Sequence, residues 1–238
     1  MATEHAVSVG DETVAAVHHP AESDRWLLFC HGFLSDKSGS YEGRCERAVE
    51  EGYNAVRFDF RGSGESDGAF VESTLSTRIA DLHTVVEHFS PPSYALFGSS
   101  FGAKTALHAA TEAPRLEAVV ARSPVTYNRA FGSYRETVES EGHLRYDEGH
   151  VIDRRFFEDF ETYGFESVVA RLDVPVAIFH GTADESVPIK DSFEAAAALE
   201  TDVHLAKYRE EGHRFSKRAE RRLRAQAFGW LGTVHNRS

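Results

Sequence analysis

Short apolar segments rich in β-branched and aromatic residues alternate with longer helical segments throughout this 238-residue chain. The first two segments, 5–9 and 13–19, are joined by Gly10-Asp11, a pair typical of a tight hairpin turn. Six further segments have the continuous hydrophobicity of buried strands: 26–30, 54–60, 94–97, 116–121, 175–180 and 203–208. Because β-α-β connections are right-handed, the pattern predicts an α/β fold with a mostly parallel eight-stranded sheet and helices on both faces.

The clearest helix is predicted over 74–90, where apolar residues recur at steps of three and four and Pro91-Pro92 follows. A chain of this length commonly forms one hydrophobic core. We therefore expect a single domain over 1–238.

One connection is far longer than the rest. About fifty residues separate the strand ending near Ala121 from the strand starting near Pro175, whereas such connections usually contain about 2 to 6. We predict a cap insertion at approximately 124–170. It holds nine of the 27 aromatic residues: Tyr127, Phe131, Tyr134, Tyr146, Phe156, Phe157, Phe160, Tyr163 and Phe165. We expect an aromatic-lined lid over a pocket, and the alternative is a small satellite core that seals the insertion itself.

The segment LFGSSFGA places Ser100 between Gly98 and Gly102, after a strand and before a helix. This matches the G-x-S-x-G turn, which holds its serine in strained backbone geometry at the carboxyl edge of a sheet. A side chain at either glycine would collide with the adjoining strand or helix. The alternative interpretation is a glycine-rich turn without a chemical role.

A serine hydroxyl becomes a good nucleophile only when a base takes its proton and a third group orients that base. Asp184 follows the strand ending at His180, and His213 follows the last strand. Both positions lie at carboxyl ends of strands, the edge that also carries Ser100. The order Ser100, Asp184, His213 therefore predicts a nucleophile, an orienting acid and a base.

Attack by the serine on a carbonyl group would create an oxyanion, which backbone amides can stabilise. We expect one amide from Phe101, directly after the nucleophile, and one from Phe33 in the segment HGF at 31–33. A simple strand exit at His31 and Gly32 is the alternative.

HGF, FDFRGSGES at 58–66, GSSFG, HGTADESVP and EGH together resemble the α/β-hydrolase superfamily over nearly the whole chain. The sequence is similar to small serine esterases of the cinnamoyl (feruloyl) esterase and monoacylglycerol lipase type. The resemblance implies an α/β-hydrolase fold and ester hydrolysis through an acyl-enzyme, with Ser100 as nucleophile, Asp184 as acid and His213 as base. Phe101 departs from the Gln or Met of many relatives.

From the aromatic insertion we expect carboxylic esters with small, aromatic or short acyl groups as substrates. Hydrolysis of thioesters, peptides or carbon–carbon bonds on the same residues stays open. A noncatalytic binding protein built on this fold is the alternative of a different class.

A net charge of −12 argues against binding to nucleic acid or to an anionic membrane surface. No apolar run approaches the roughly 18 residues of a membrane span, and the N-terminal residues lack the layout of a secretory signal, so we expect a cytoplasmic protein. Cys30 and Cys45 lack metal-site or disulfide spacing. We expect two free thiols, no metal, no cofactor and a small-molecule ester as partner, with a homo-oligomeric state left open.

Several charged groups have a structural explanation. Asp59 and Arg61 are expected to hold the loop at 61–64, rather than to bind an anionic substrate together with Arg57. The group Asp147, Glu148, His150 and Asp153 is interpreted as a solvated face. The same holds for the basic residues of the last helix, Lys217, Arg218, Arg221, Arg222 and Arg224. The excess of 21 Arg over 5 Lys fits either a halophilic source or a GC-rich genome.

Overall fold

The main sheet contains eight strands, as the sequence predicts. A computed structural model describes residues 1–235 and orders the sheet as β1-β2-β4-β3-β5-β6-β9-β10. These strands are β1 (Thr3–Val9), β2 (Glu12–His19), β3 (Trp26–Cys30), β4 (Asn54–Phe58), β5 (Tyr94–Ser99), β6 (Leu116–Arg122), β9 (Val176–Gly181) and β10 (Val203–Tyr208). Strand β2 pairs antiparallel with β1 and β4, and β3, β4, β5, β6, β9 and β10 are mutually parallel. All eight predicted strand segments are confirmed.

Of the eight α-helices within residues 1–235, seven lie between parallel strands of the main sheet and the last follows β10. They are α1 (Ser40–Glu50), α2 (Leu75–Phe89), α3 (Phe101–Ala109), α4 (Gly132–Glu141), α5 (Arg154–Phe160), α6 (Phe165–Arg171), α7 (Ile189–Ala198) and α8 (Lys217–His235). The helix predicted over 74–90 is α2. Its first turn is capped by Thr74, whose hydroxyl accepts a hydrogen bond from the Thr77 amide, and it ends at Ser90 in a left-handed conformation before Pro91.

Both faces of the sheet are covered, because successive side chains of a strand point to opposite faces. Leu28 and Cys30 of β3 belong to the core shared with α2, α3, α6 and α7. Leu27 and Phe29 of the same strand belong to the core shared with α1 and α8. The continuous hydrophobicity of the central strands follows from this double burial.

The long connection between β6 and β9 contains α4, α5, α6 and a hairpin of β7 (His143–Arg145) and β8 (Val151–Asp153). Its aromatic side chains form a packed cluster. Phe131, Phe156 and Phe160 are buried, and the Phe160 ring stacks on the Phe101 ring at 5.8 Å between centroids. The insertion therefore has the satellite core that was the alternative to a lid, and Phe101 joins this core to the sheet.

Candidate active site

Ser100 lies in the sharp turn between β5 and α3. Its φ of 55° and ψ of −118° are values that a residue with a side chain rarely adopts. The turn fits only because its neighbours are small. A Cβ atom at Gly98 would clash with the backbone of Ala103, and one at Gly102 would clash with the carbonyl oxygens of Cys30 and His31. The two glycines stand where the sequence predicted them to permit this turn.

Ser100, Asp184 and His213 come together at the carboxyl edge of the sheet. The His213 Nε2 atom lies 3.0 Å from the Ser100 Oγ atom, and its Nδ1 atom lies 2.8 Å from the Asp184 Oδ2 atom. With an ionised Asp184, Nδ1 carries the proton and Nε2 can accept a hydrogen bond from the serine hydroxyl. The loops after β5, β9 and β10 thus bring together three residues far apart in sequence.

The side chain of Asp184 is buried, and hydrogen bonds keep its carboxylate ionised. Burial alone would raise its pKa, but hydrogen bonds from the side chains of His180 and His213 and from the Val187 amide hold the pKa well below its ordinary value. The Ser186 amide donates to the same carboxylate at 3.0 Å. These donors also fix the direction in which the carboxylate faces His213.

Sequence reasoning missed the role of His180. Its Nδ1 atom lies 2.7 Å from the Ser192 hydroxyl, and its Nε2 atom lies 3.1 Å from Asp184 Oδ2. The side chain is fully buried. Its position in HGTADESVP, four residues before Asp184, was the available signal.

The segment at 31–33 passes directly beside the serine. A Cβ atom at Gly32 would lie 3.3 Å from the Ser99 carbonyl oxygen and 3.4 Å from the Ser100 Cβ atom. Neither the Phe33 amide nor the Phe101 amide has a protein acceptor among residues 1–235. Both amides are therefore available to an oxygen atom placed beside Ser100.

His31 is neutral and supports this segment through hydrogen bonds of both ring nitrogens. Its Nε2 atom accepts a hydrogen bond from the Phe60 amide at 3.1 Å, so Nδ1 carries the proton and donates to the Gly32 carbonyl oxygen at 2.9 Å. Burial and the neighbouring Arg78 guanidinium lower the pKa of His31 to about 3. His31 is thus more than the simple strand exit that was the alternative.

Two arginines support the turn from the side of α1 and α8. The Ser99 hydroxyl accepts hydrogen bonds from Arg44 at 3.1 Å and from Arg122 at 3.3 Å. Arg122 also donates to the carbonyl oxygen of His213. Arg122 therefore connects the turn that carries the serine with the loop that carries the histidine, a role that no sequence motif indicated.

The loop at 61–64 is held by ion pairs, as expected, with partners that the sequence did not identify. Asp59 accepts hydrogen bonds from the backbone amide and the ammonium group of Lys37, at 2.6 and 2.7 Å. Arg61 pairs with Asp81 at 2.6 Å and with Glu12 at 2.9 Å. Asp59 and Arg61 thus take structural partners.

A cleft of about 750 Å³ opens beside Ser100 and His213. It runs between the segment 32–44 and the beginning of α8. None of the nine aromatic residues of the insertion lines it. Lys217, Arg221 and Arg224 do line it, so this part of the basic face of α8 borders the candidate site rather than being only a solvated face.

Residues 1–235 contain no group of three or more His, Cys, Asp or Glu side chains placed to hold a metal ion. Both cysteines are buried and free, as expected. None of the helices described is long and apolar enough to cross a membrane.

Comparison with known proteins gives a consistent group of relatives. Residues 21–138 match the family model described as "Serine aminopeptidase, S33". The human protein "Palmitoyl-protein thioesterase ABHD10, mitochondrial" is 28% identical over 214 residues, which cover 83% of this chain and 69% of the relative.

Two solved structures are similar over nearly their whole length. "Alpha/beta hydrolase domain-containing protein 10 from mouse" has a TM-score of 0.87 at 22% identity and covers 98% of this chain and 99% of its own. "Ferulic Acid bound to Est1E from Butyrivibrio proteoclasticus" has a TM-score of 0.84 at 19% identity, with 96% and 99% covered.

Gly102→Ala should destabilise the protein by several kcal/mol, because the added methyl group meets backbone atoms of Cys30 and His31 that cannot move independently. Gly229→Ala is the matched control, since it lies inside α8 with nothing within 4 Å of its Cβ position and should stabilise by about 0.5–1 kcal/mol. Denaturant unfolding measures both variants. Equal midpoints for the two would contradict the steric account of the turn.

The free energy of unfolding should fall as the pH drops from about 6.5 towards 4.5. His31 has a folded-state pKa of about 3, below the ordinary value of about 6.5, so the unfolded chain binds more protons in this interval. Each such histidine contributes a slope of about 1.4 kcal/mol per pH unit. In His31→Gln the slope should be shallower, whatever the absolute stability of the variant. An unchanged slope in urea titrations would show that His31 is not held neutral.

Proposed function

Because the chain is an α/β-hydrolase, we propose that it is a serine hydrolase that cleaves carboxylic esters through an acyl-enzyme formed at Ser100. The observation that carries the proposal is the contact of His213 Nε2 with the Ser100 hydroxyl at 3.0 Å, together with its contact with Asp184 on the other ring nitrogen. A hydroxyl with this partner can lose its proton as it attacks a carbonyl carbon.

The first half-reaction forms one bond and breaks another. The Ser100 oxygen attacks the carbonyl carbon while His213 Nε2 takes the hydroxyl proton, and the carbonyl oxygen becomes an oxyanion beside the Phe33 and Phe101 amides. The tetrahedral intermediate then expels the alcohol, and His213 returns the proton to the departing oxygen. The acyl group remains bonded to Ser100.

The second half-reaction uses water in place of the alcohol. His213 takes a proton from water as its oxygen attacks the acyl carbon, and the bond to Ser100 breaks when the proton is returned to the serine oxygen. The products are a carboxylic acid and the free enzyme. Asp184 remains ionised throughout, because its low pKa keeps it from taking the proton from His213.

A second candidate is hydrolysis of thioesters by the same steps, with sulfur as the departing atom. The human relative at 28% identity is a palmitoyl-protein thioesterase by its name. An oxygen ester and a thioester with the same acyl group, compared by kcat/KM, separate the two candidates. A noncatalytic role would leave both substrates intact.

Ser100→Ala and His213→Gln should each lower kcat/KM for p-nitrophenyl butyrate by about 10⁴-fold or more, because residues of such a unit act together. A fluorophosphonate should modify wild-type protein at Ser100 and should not modify Ser100→Ala. His143→Gln is the matched control, since His143 is exposed in β7. Undiminished hydrolysis or labelling in Ser100→Ala would refute the proposed nucleophile.

We propose that the acyl groups accepted are small, aromatic or short. Phe33 lines the cleft together with Ser100, and its ring lies within 5.2–5.7 Å of the rings of Phe70, Phe101, Phe131, Tyr146 and Phe156. Phe33 thus connects this wall of the cleft to the packed aromatic cluster of the insertion. A long acyl chain would have to displace well-packed rings.

In a series of p-nitrophenyl esters, kcat/KM should therefore be higher for butyrate than for palmitate by at least about tenfold. Phe33→Ala removes the central ring and should shift the ratio towards palmitate. Methyl ferulate tests the aromatic acyl group. Palmitate hydrolysed as fast as butyrate by the wild-type protein would contradict the short-acyl proposal.

A further inference from the structure

The cleft beside Ser100 is strongly cationic although the chain as a whole has a net charge of −12. Its lining includes six basic side chains: Arg44, Arg122, Arg214, Lys217, Arg221 and Arg224. Only two carboxylates, Asp36 and Glu220, face them. The formal excess is four positive charges, which is opposite in sign to the net charge of the whole chain.

Most of these cations lack an anionic partner. Glu220 is already bound by Arg44, with the Arg44 Nε atom 2.6 Å from Glu220 Oε1. Among residues 1–235, none of the other five forms an ion pair; they are Arg122, Arg214, Lys217, Arg221 and Arg224. Burial and the nearby Arg44 lower the pKa of Arg122 to about 10, which leaves it charged at neutral pH.

Four of the six cations come from one face of α8 and from the loop before it, and the other two, Arg44 and Arg122, come from α1 and β6. Lys217, Arg221 and Arg224 are spaced by four and three residues, so they lie on the same side of the first two turns. The amino-terminal end of α8 adds the positive end of its dipole to the same region. Like charges held together in this way repel one another until an anion binds between them.

His213 identifies the part of a substrate that would occupy the cleft. The group that returns a proton to the departing atom must lie within hydrogen-bond reach of that atom. His213 and the following Arg214 line the cleft near the beginning of α8, whereas Phe33 lines its opposite wall and packs against the aromatic cluster of the insertion. The departing alcohol or thiol therefore extends towards the cations, and the acyl group extends away from them.

We infer that the cleft binds a phosphate group carried by the departing alcohol or thiol of the substrate. The inference rests on the proposed function and narrows its substrate class to acyl esters or thioesters of phosphorylated small molecules. A phosphate carries up to two charges and matches the planar fork of arginine. A concave cleft of about 750 Å³ is of the size that binds small molecules.

The test variant is Lys217→Gln combined with Arg221→Gln. Both side chains are exposed and lack ion pairs within residues 1–235, so the variant should fold normally. The control is Lys207→Gln combined with Arg218→Gln, which removes one exposed Lys and one exposed Arg that do not line the cleft. The two variants therefore have the same net charge.

Two substrate pairs differ only in the phosphorylated part. S-Butyryl-4′-phosphopantetheine is compared with S-butyrylpantetheine, and 1-butyrylglycerol 3-phosphate with 1-butyrylglycerol. The wild-type protein should prefer the phosphorylated member of at least one pair by about tenfold or more in kcat/KM, and the preference should weaken as salt is added. The pair that shows the preference identifies a thiol or an alcohol as the departing group.

In the cleft variant this preference should fall by about tenfold, while the control should keep it within about twofold. Hydrolysis of the neutral members with no preference in either pair would overturn the inference and leave the proposed function intact. An equal loss of preference in both variants would also overturn it, because net charge alone would then explain the effect.

A binding measurement keeps the inference testable if no ester is hydrolysed, which would refute the proposed function instead. Coenzyme A and glycerol 3-phosphate are titrated into Ser100→Ala by calorimetry, with and without the cleft substitutions. Binding of either compound that weakens about tenfold in the cleft variant, and not in the control, supports the site. Absence of binding by both compounds overturns it.

Discussion

The sharp turn at Ser100 is the constraint on which the rest of the site depends. Its backbone takes a conformation that residues with side chains disfavour, between a strand and a helix that are both buried along their whole length. Gly98 and Gly102 allow β5 and α3 to approach each other and the end of β3 without a clash. Because of this approach, the serine hydroxyl projects at the edge where the loops after β9 and β10 also end.

Charge and hydrogen bonding then position the partners of Ser100. Asp184 is fixed by His180 and by two backbone amides, so that it accepts a hydrogen bond from Nδ1 of His213 and leaves Nε2 free to contact the serine. Arg122 connects the loop of His213 to Ser99. The site is thus one continuous hydrogen-bonded unit that reaches from the turn to the last loop.

The strands and the three separated residues could be predicted because local patterns carry them. Apolar runs mark buried strands, and Ser100, Asp184 and His213 each follow one. The supporting contacts could not be predicted, since Arg122 and His180 meet their partners only after the chain folds. The insertion was expected to form an aromatic-lined lid, but aromatic content alone does not say whether the rings face a pocket or one another. The cationic cleft could not be predicted, because the sequence shows Lys217 and Arg221 only as the polar face of a helix. The cleft forms only when the segment 32–44 folds against this face.

Two different surroundings meet at the serine, with packed aromatic rings on one side and unpaired cations on the other. The account as a whole requires a covalent intermediate at their junction. The most direct measurement is intact mass spectrometry of protein quenched in acid within the first turnovers of an activated ester, followed by peptide mapping. The account predicts an added mass equal to the acyl group on the peptide that contains Ser100. Turnover without an adduct under burst conditions, or an adduct on another residue, would contradict it.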